Sequence, residues 1–265
     1  LPTVHANLGV GAHDRITQTH MIMERLEPHL KELHPDMIVV VGDVNSTIAA
    51  TLVALRHNIP VAHVEAGLRS HNWRMPEEIN RVMTDHLSTL LFTTEEAASQ
   101  NLYTEGIEKS RVHFVGNVMI DTLAVCEREA EKVAALEAHR LAPFNYGLVT
   151  MHRPENVDVR DRFMELFGAL CEINAFMPLV LTLHPRTEAM ARTFGINWDQ
   201  KFAPKTIAPQ SYLSMLKLLR NARFVITDSG GVQEETSVCG IPCITIRTET
   251  ERPITVTHGT NEVVG

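Results

Sequence analysis

Short, nearly continuous apolar runs take turns with helical patterns along most of the chain, and this limits the fold more than any other feature. Met37-Ile38-Val39-Val40-Val41, Val61-Ala62-His63-Val64, Leu90-Leu91-Phe92 and Val112-His113-Phe114-Val115 carry little polar alternation. Strands of that kind are buried on both faces, and when helices separate them they form parallel sheets covered on each side. Helical spacing through Ile16, Met23, Leu26, Leu30 and Leu33 precedes the first run. A second helix is expected from Thr47 to His57, and a third opens at Pro76-Glu77-Glu78. Leu141-Ala142-Pro143-Phe144-Asn145-Tyr146 breaks the rhythm and reads as a linker. The alternation restarts at Gly147-Leu148-Val149-Thr150-Met151. It continues through Leu179-Val180-Leu181-Thr182-Leu183, Phe224-Val225-Ile226-Thr227 and Cys243-Ile244-Thr245-Ile246. The expected α/β architecture is two doubly wound, Rossmann-like domains, residues 1–141 and 142–265, facing a cleft.

The formal charge of −8 and the lack of a long Lys/Arg run argue against a nucleic-acid or anionic-membrane surface. No apolar run is long enough to span a bilayer. Cys126, Cys171, Cys239 and Cys243 form no CxxC pair, which suits buried free thiols in a reducing, cytoplasmic compartment. Leu1-Pro2-Thr3-Val4 has neither an initiator Met nor a signal-peptide pattern, and Asn261-Glu262-Val263-Val264-Gly265 stops as abruptly. The expectation is a fragment, incomplete at both termini.

In open α/β sheets ligands gather beyond the carboxyl ends of the strands, and the polar residues fall there. Asp43 follows the first run, Glu65 the second, His152 follows Val149-Thr150-Met151, and Asp228-Ser229 follows Val225-Ile226-Thr227. At Ser229-Gly230-Gly231 two glycines let a backbone approach closely, and the helix that follows offers unpaired N–H groups to a phosphate. Glu234 and Glu235 in its early turns suit sugar hydroxyls, so the segment points to a nucleotide sugar. Structural roles stand beside these readings. Asp43 suits a helix cap, Glu77 and Arg81 a surface i,i+4 ion pair, and His152 with Arg153 a satisfied loop. His63 and His184 suit packed or hydrogen-bonded side chains. G-x-S-x-G, Walker A, G-x-G-x-x-G and H-E-x-x-H are all missing, so hydrolase, NTPase, dehydrogenase and metal readings lose support.

Taken in order, Val41-Gly42-Asp43-Val44-Asn45-Ser46, His63-Val64-Glu65-Ala66-Gly67-Leu68-Arg69 and Met75-Pro76-Glu77-Glu78-Ile79-Asn80-Arg81 resemble one known family. Val115-Gly116-Asn117, His152-Arg153-Pro154-Glu155-Asn156, the Asp228–Glu235 segment and Thr250-Glu251-Arg252-Pro253 complete the match. Together they closely resemble the non-hydrolysing UDP-N-acetylglucosamine 2-epimerases over nearly the whole chain. The resemblance implies a glycosyltransferase-B-like fold and interconversion of UDP-GlcNAc and UDP-ManNAc for bacterial polysaccharide synthesis. It implies no cofactor, neither metal nor NAD, and a homodimer. UDP would leave by anti elimination after proton loss at C2, giving 2-acetamidoglucal, and then add back. By motif match Asp43, Glu65 and Glu77 are the acid/base candidates, and His152 would assist the leaving diphosphate. Arg81 would orient the carboxylates or contact the ligand, and Arg153 would serve the ligand too. Ser229, Gly230 and Gly231 would hold the diphosphate and Glu235 the ribose, with Arg252 and Arg247 as further contacts.

The chain departs from the family pattern at its ends. The first βαβ unit, with its Gly-Thr-Arg-Pro-Glu loop, and the C-terminal helices are absent from this sequence. Exposed apolar sheet surface, poor stability and little activity are expected to follow. Rival readings are a hydrolysing epimerase, a glycosyltransferase of the same fold and a non-catalytic nucleotide-sugar binding module.

Overall fold

The computed structural model describes residues 4–11 and 13–265. Leu1, Pro2 and Thr3, part of the opening taken as a sign of truncation, lie outside the described residues, as does Ala12. The chain divides into two compact units, residues 1–117 and 118–265.

The first unit runs α1 (Arg15–Leu33), β1 (Ile38–Val41), α2 (Asn45–Arg56), β2 (Val61–Ala66), α3 (Pro76–Leu87), β3 (Leu90–Thr93), α4 (Glu96–Thr104) and β4 (Val112–Phe114). Its strands pair in parallel in the order β1-β2-β3-β4. Asp14 starts α1 by accepting the N–H groups of Ile16 and Thr17, both at 3.1 Å. Leu30, Val40, Val53, Ala54, Ile59 and Val61 form the core that joins α1 and α2 to the sheet. At the edge, Val39 and Val41 of β1 are exposed, in keeping with the expected uncovered apolar surface. The register of β2 shifts between Val64 and Ala66, and Glu65 sits in the bulge with φ of 68°.

The second unit begins with α5 (Val118–Glu131) and α6 (Ala135–Ala138), then β5 (Gly147–Thr150), α7 (Pro154–Val157) and α8 (Arg160–Phe176). It continues with β6 (Leu179–Thr182), α9 (Pro185–Phe194), β7 (Lys205–Ile207), α10 (Tyr212–Arg220) and β8 (Phe224–Thr227). It ends with α11 (Gly230–Cys239), β9 (Cys243–Thr245), α12 (Ile254–Thr257) and β10 (Asn261–Val263). The parallel sheet has the order β10-β9-β8-β5-β6-β7. Neighbouring residues in its central strands enter opposite cores. Leu148, Val180 and Val225 join one cluster, while Val149, Leu181 and Ile226 join the other. This is why these strands carry no polar alternation: both of their faces are dry.

The boundary at 141/142 does not follow the packing. Helix α5 belongs with the second unit, since Leu123 and Ala130 pack against Leu216 of α10. Lys217 reaches Glu131 at 2.6 Å, and Arg220 pairs with Glu127. The Leu141–Tyr146 break is therefore a loop inside that unit. All four cysteines are free thiols, but only Cys243 is buried and the other three are half-exposed. No described helix is long and apolar enough to cross a membrane.

Candidate functional site

In the first unit, the carboxyl ends of β1 and β2 carry Asp43 and Glu65, and the start of α3 carries Glu77. Asp43 does not cap α2, whose N-cap is Val44. Its carboxylate instead takes Arg81 Nη2 at 2.5 Å. Arg81 is 2% exposed, and its other nitrogen, Nη1, donates to Glu78 Oε2 at 2.5 Å and to the Leu68 carbonyl at 3.3 Å. The expected i,i+4 pairing of Glu77 with Arg81 is not among the ion pairs of the described residues. Arg81 thus holds the Asp43 carboxylate through a charged hydrogen bond. Asn80 fixes the same turn by donating to the Asp43 carbonyl at 2.9 Å.

Glu78 is spent on structure. It accepts the N–H groups of Ser70 at 3.0 Å and His71 at 2.9 Å, fastening the loop after β2 onto α3. Glu77 is half-exposed. It shares with Asp43, Asn45, Asn80 and Gln18 the lining of a cavity of about 490 Å³. Glu65 is not in that lining but lies close by, with Oε2 3.9 Å from where a β-carbon on Gly42 would stand. A glutamate at positive φ is strained, and such strain recurs where a side chain must be aimed.

In the second unit β5 and β8 are neighbours, and their ends bring His152 and Asp228 together across 76 residues. Asp228 is wholly buried. Its carboxylate accepts the N–H of His152 at 2.9 Å, the N–H of Arg153 at 2.8 Å and the Asn156 amide at 3.1 Å. His152 Nδ1 stands 2.8 Å from Asp228 Oδ1. Burial alone would raise the Asp228 pKa, but the hydrogen bond and charge of His152, helped by the two backbone N–H groups, hold it below the ordinary value. The His184 ring is 5.3 Å from that of His152, and burial and the His152 charge lower its pKa.

Ser229 is the N-cap of α11, and Gly230 and Gly231 form its first turn. Beneath that turn lies a charge cluster. Arg247 Nη1 meets Glu251 Oε2 at 2.8 Å, Arg252 Nε meets Glu234 Oε2 at 3.0 Å, and Arg153 Nη2 is 3.9 Å from Glu251. A β-carbon on Gly230 would stand 2.7 Å from Glu251 Oε1 and 3.3 Å from Arg252 Nε, so a side chain there would have to displace the Glu251 carboxylate. Set beside a helix N-terminus, these arginines suit an anion. Glu235 is buried and bonded by the Tyr212 hydroxyl. Desolvation raises its pKa, and the tyrosine contact opposes the rise.

The family model for UDP-N-acetylglucosamine 2-epimerase matches residues 1–265. The chain belongs to the UDP-N-acetylglucosamine 2-epimerase family. It is 41% identical to the UDP-N-acetylglucosamine 2-epimerase of Methanocaldococcus jannaschii, across all of this chain and 74% of that protein. The crystal structure of the M. jannaschii enzyme in complex with UDP-GlcNAc and UDP superposes with a TM-score of 0.94, over 100% of this chain and 75% of that one. The UDP-2,3-diacetamido-2,3-dideoxy-D-glucuronate 2-epimerase of Pseudomonas aeruginosa is 40% identical, across all of this chain and 73% of that protein. The chain is thus an epimerase, an isomerase with two Rossmann-like units.

For this epimerase, sequence reasoning placed His152 and Asp228 separately at strand ends but not as a pair, and it named Glu235 but not Tyr212. It also passed over Glu251 as the acid among the arginines. Each of these partners is distant in sequence, apart from Glu251 with Arg247 and Arg252. Burial would raise the Glu251 pKa, but Arg247 and Arg252, with Arg153 behind them, bring it down to about 2. A depressed carboxyl stabilises the fold above its unfolded pKa, near 4.5, and that stabilisation is lost as pH falls towards about 2. The expected loss is on the order of 3 kcal/mol. Urea unfolding of the protein and of Glu251→Gln between pH 6 and pH 2.5 measures it as a stability difference that narrows on acidification. A difference constant with pH would refute it.

Proposed function

We propose that the chain interconverts UDP-GlcNAc and UDP-ManNAc by elimination and re-addition of UDP. One carboxylate of the Asp43, Glu65 and Glu77 group takes the C2 proton as the C1–O bond to UDP breaks, leaving 2-acetamidoglucal. UDP then re-adds at C1 while a second carboxylic acid protonates the opposite face of C2. The sequence is redox-neutral, so it calls for no hydride acceptor. What carries the reading is that acid/base groups stand at adjacent strand ends in one unit, while the other unit pairs an oriented imidazole with a glycine-opened helix. In this reading the first unit supplies the proton chemistry and the second holds UDP. The diphosphate lies at Ser229, Gly230 and Gly231 near Arg252 and Arg153, and the ribose at Glu235. With Nδ1 committed to Asp228, His152 Nε2 is the nitrogen that meets the leaving phosphate. The M. jannaschii relative, with UDP-GlcNAc and UDP bound, supports the same ligand here. We extend the reading to a cytoplasmic homodimer that supplies amino-sugar units for polysaccharide.

The test is incubation of a version extended to the length of its relatives with UDP-GlcNAc in D2O, followed by NMR. Deuterium at C2 together with UDP-ManNAc is the expected result. Free ManNAc and UDP would shift the reading to a hydrolysing epimerase, and a C2 proton that never exchanges would overturn elimination. Because the Pseudomonas relative acts on a diacetamido uronate, that UDP-sugar is run in parallel. Faster turnover of it would change the substrate while keeping the chemistry.

A further inference from the structure

Asp85, on α3, takes no part in the chemistry above, yet it is wholly buried and so is His63 of β2. Asp85 Oδ1 is 2.7 Å from His63 Nδ1, and the far side of that ring, Nε2, donates to the Gly42 carbonyl at 2.8 Å. Asp85 Oδ2 accepts the Gly67 N–H at 3.1 Å. Gly42 immediately precedes Asp43, and Gly67 follows Glu65 by two residues. One buried carboxylate therefore grips the backbone beside both candidate acid/base groups, through an imidazole on one side and directly on the other.

The grip acts where the backbone is least conventional. Gly42, Glu65 and Gly67 have φ of 70°, 68° and 81°. The β1–β2 ladder makes its last bond here, from the Gly42 N–H to the Val64 carbonyl at 3.0 Å. Arg69 completes the node. Its Nη1 meets Asp85 Oδ2 at 2.7 Å, and its Nε and Nη2 meet the two oxygens of Glu105, each at 2.7 Å. Arg69 anchors Asp85 and also donates to the Leu68 carbonyl at 2.7 Å, so Asp85 alone reaches the Gly42 side through His63.

We propose that Asp85 is a positioning residue that holds Asp43 and Glu65 in register through His63 and Gly67. The inference rests on the epimerase reading above. Sub-ångström placement matters because proton transfer at carbon needs the base at contact distance, and a displacement of about 1 Å costs on the order of a hundredfold in rate.

The experiment measures kcat, KM and UDP affinity for Asp85→Ala and Asp85→Asn. Alanine is expected to lower kcat on the order of a hundredfold while UDP affinity and KM stay close to those of the unaltered protein. Asparagine is expected to restore most of kcat. Its amide can donate to His63 Nδ1 while its carbonyl oxygen accepts from Gly67 and Arg69, so both grips survive without the charge. If asparagine fails as badly as alanine, Asp85 serves only to balance Arg69, and the inference is overturned. Should Asp85→Ala not fold, His63→Leu against His63→Gln puts the same question to the Gly42 side, since the glutamine amide can reach the Gly42 carbonyl. Equal kcat for that pair counts against the inference. Crystal structures of the alanine or leucine variant decide independently of activity. Displaced Gly42–Asp43 backbone is expected, and an unmoved turn refutes the idea. If the unaltered protein fails to exchange the C2 hydrogen, the epimerase reading falls while this structural comparison still decides the positioning.

Discussion

Asp228→Ala should destabilise the second unit by roughly 3–5 kcal/mol, because one buried carboxylate satisfies several donors at once. Two part-buried backbone N–H groups, those of His152 and Arg153, lose their wholly buried acceptor, as does the Asn156 amide. Each stranded donor costs about 1–3 kcal/mol, and the amide retains the Ile246 carbonyl at 2.9 Å, which keeps the total from running higher. The more instructive variant is Asp228→Asn. Its oxygen can still satisfy the two backbone N–H groups, so denaturant unfolding should show a much smaller loss. Its NH2, however, now faces His152 Nδ1 and offers a donor where the carboxylate accepted, which inverts the ring's hydrogen-bonding pattern at Nε2. Turnover is therefore expected to fall on the order of a thousandfold with the fold largely intact. Normal turnover in Asp228→Asn would mean that Asp228 only supports the loop and that His152 is not oriented by it.

The fold was legible wherever burial on both faces removed polar alternation. Leu148-Val149, Val180-Leu181 and Val225-Ile226 each divide between two cores, and such runs have no other stable home in a soluble domain. Two strands escaped notice. Lys205–Ile207 and Asn261–Val263 are three residues long and lie at the two edges of the sheet. Only Ile207 and Asn261 in them are buried, so no apolar run marks them out. The site was legible at single positions and not in its pairings. Asp43, Glu65 and His152 stand out because each ends an apolar run, and the glycine turn stands out because α11 opens there. Which carboxylate takes Arg81, that Asp228 lies under His152, and that Asp85 lies under His63 depend on which strands become neighbours. No local pattern encodes that. The domain boundary failed for a related reason. Pro143 and Asn145 do mark a loop, but the amphipathic face of α5 decides which core that helix joins.

Gly67→Ala tests how tightly the turn after β2 is built, and its expected cost is on the order of 4 kcal/mol. Two terms add. At φ of 81° an alanine carries the left-handed penalty of roughly 1–2 kcal/mol. The new β-carbon would also stand 2.3 Å from the Ala98 carbonyl oxygen and 2.8 Å from its carbon, in the backbone of α4, so no side-chain rotation relieves the overlap. Nor can the turn swing away cheaply. The Gly67 N–H is held by Asp85 at 3.1 Å and its carbonyl by the Asn101 amide at 2.9 Å. Relief therefore requires moving α4 or breaking both bonds. Gly106→Ala supplies the control, because Gly106 has a φ of 85° and no atom within 4 Å of the new carbon. That variant bears the conformational penalty alone. Urea unfolding of the two variants should separate them by about 2–3 kcal/mol, the part of the cost that belongs to the clash. If both variants unfold at the same midpoint, α4 gives way freely. The tight seat of Gly67, and with it the rigid end of β2 that carries Glu65, would then be discounted.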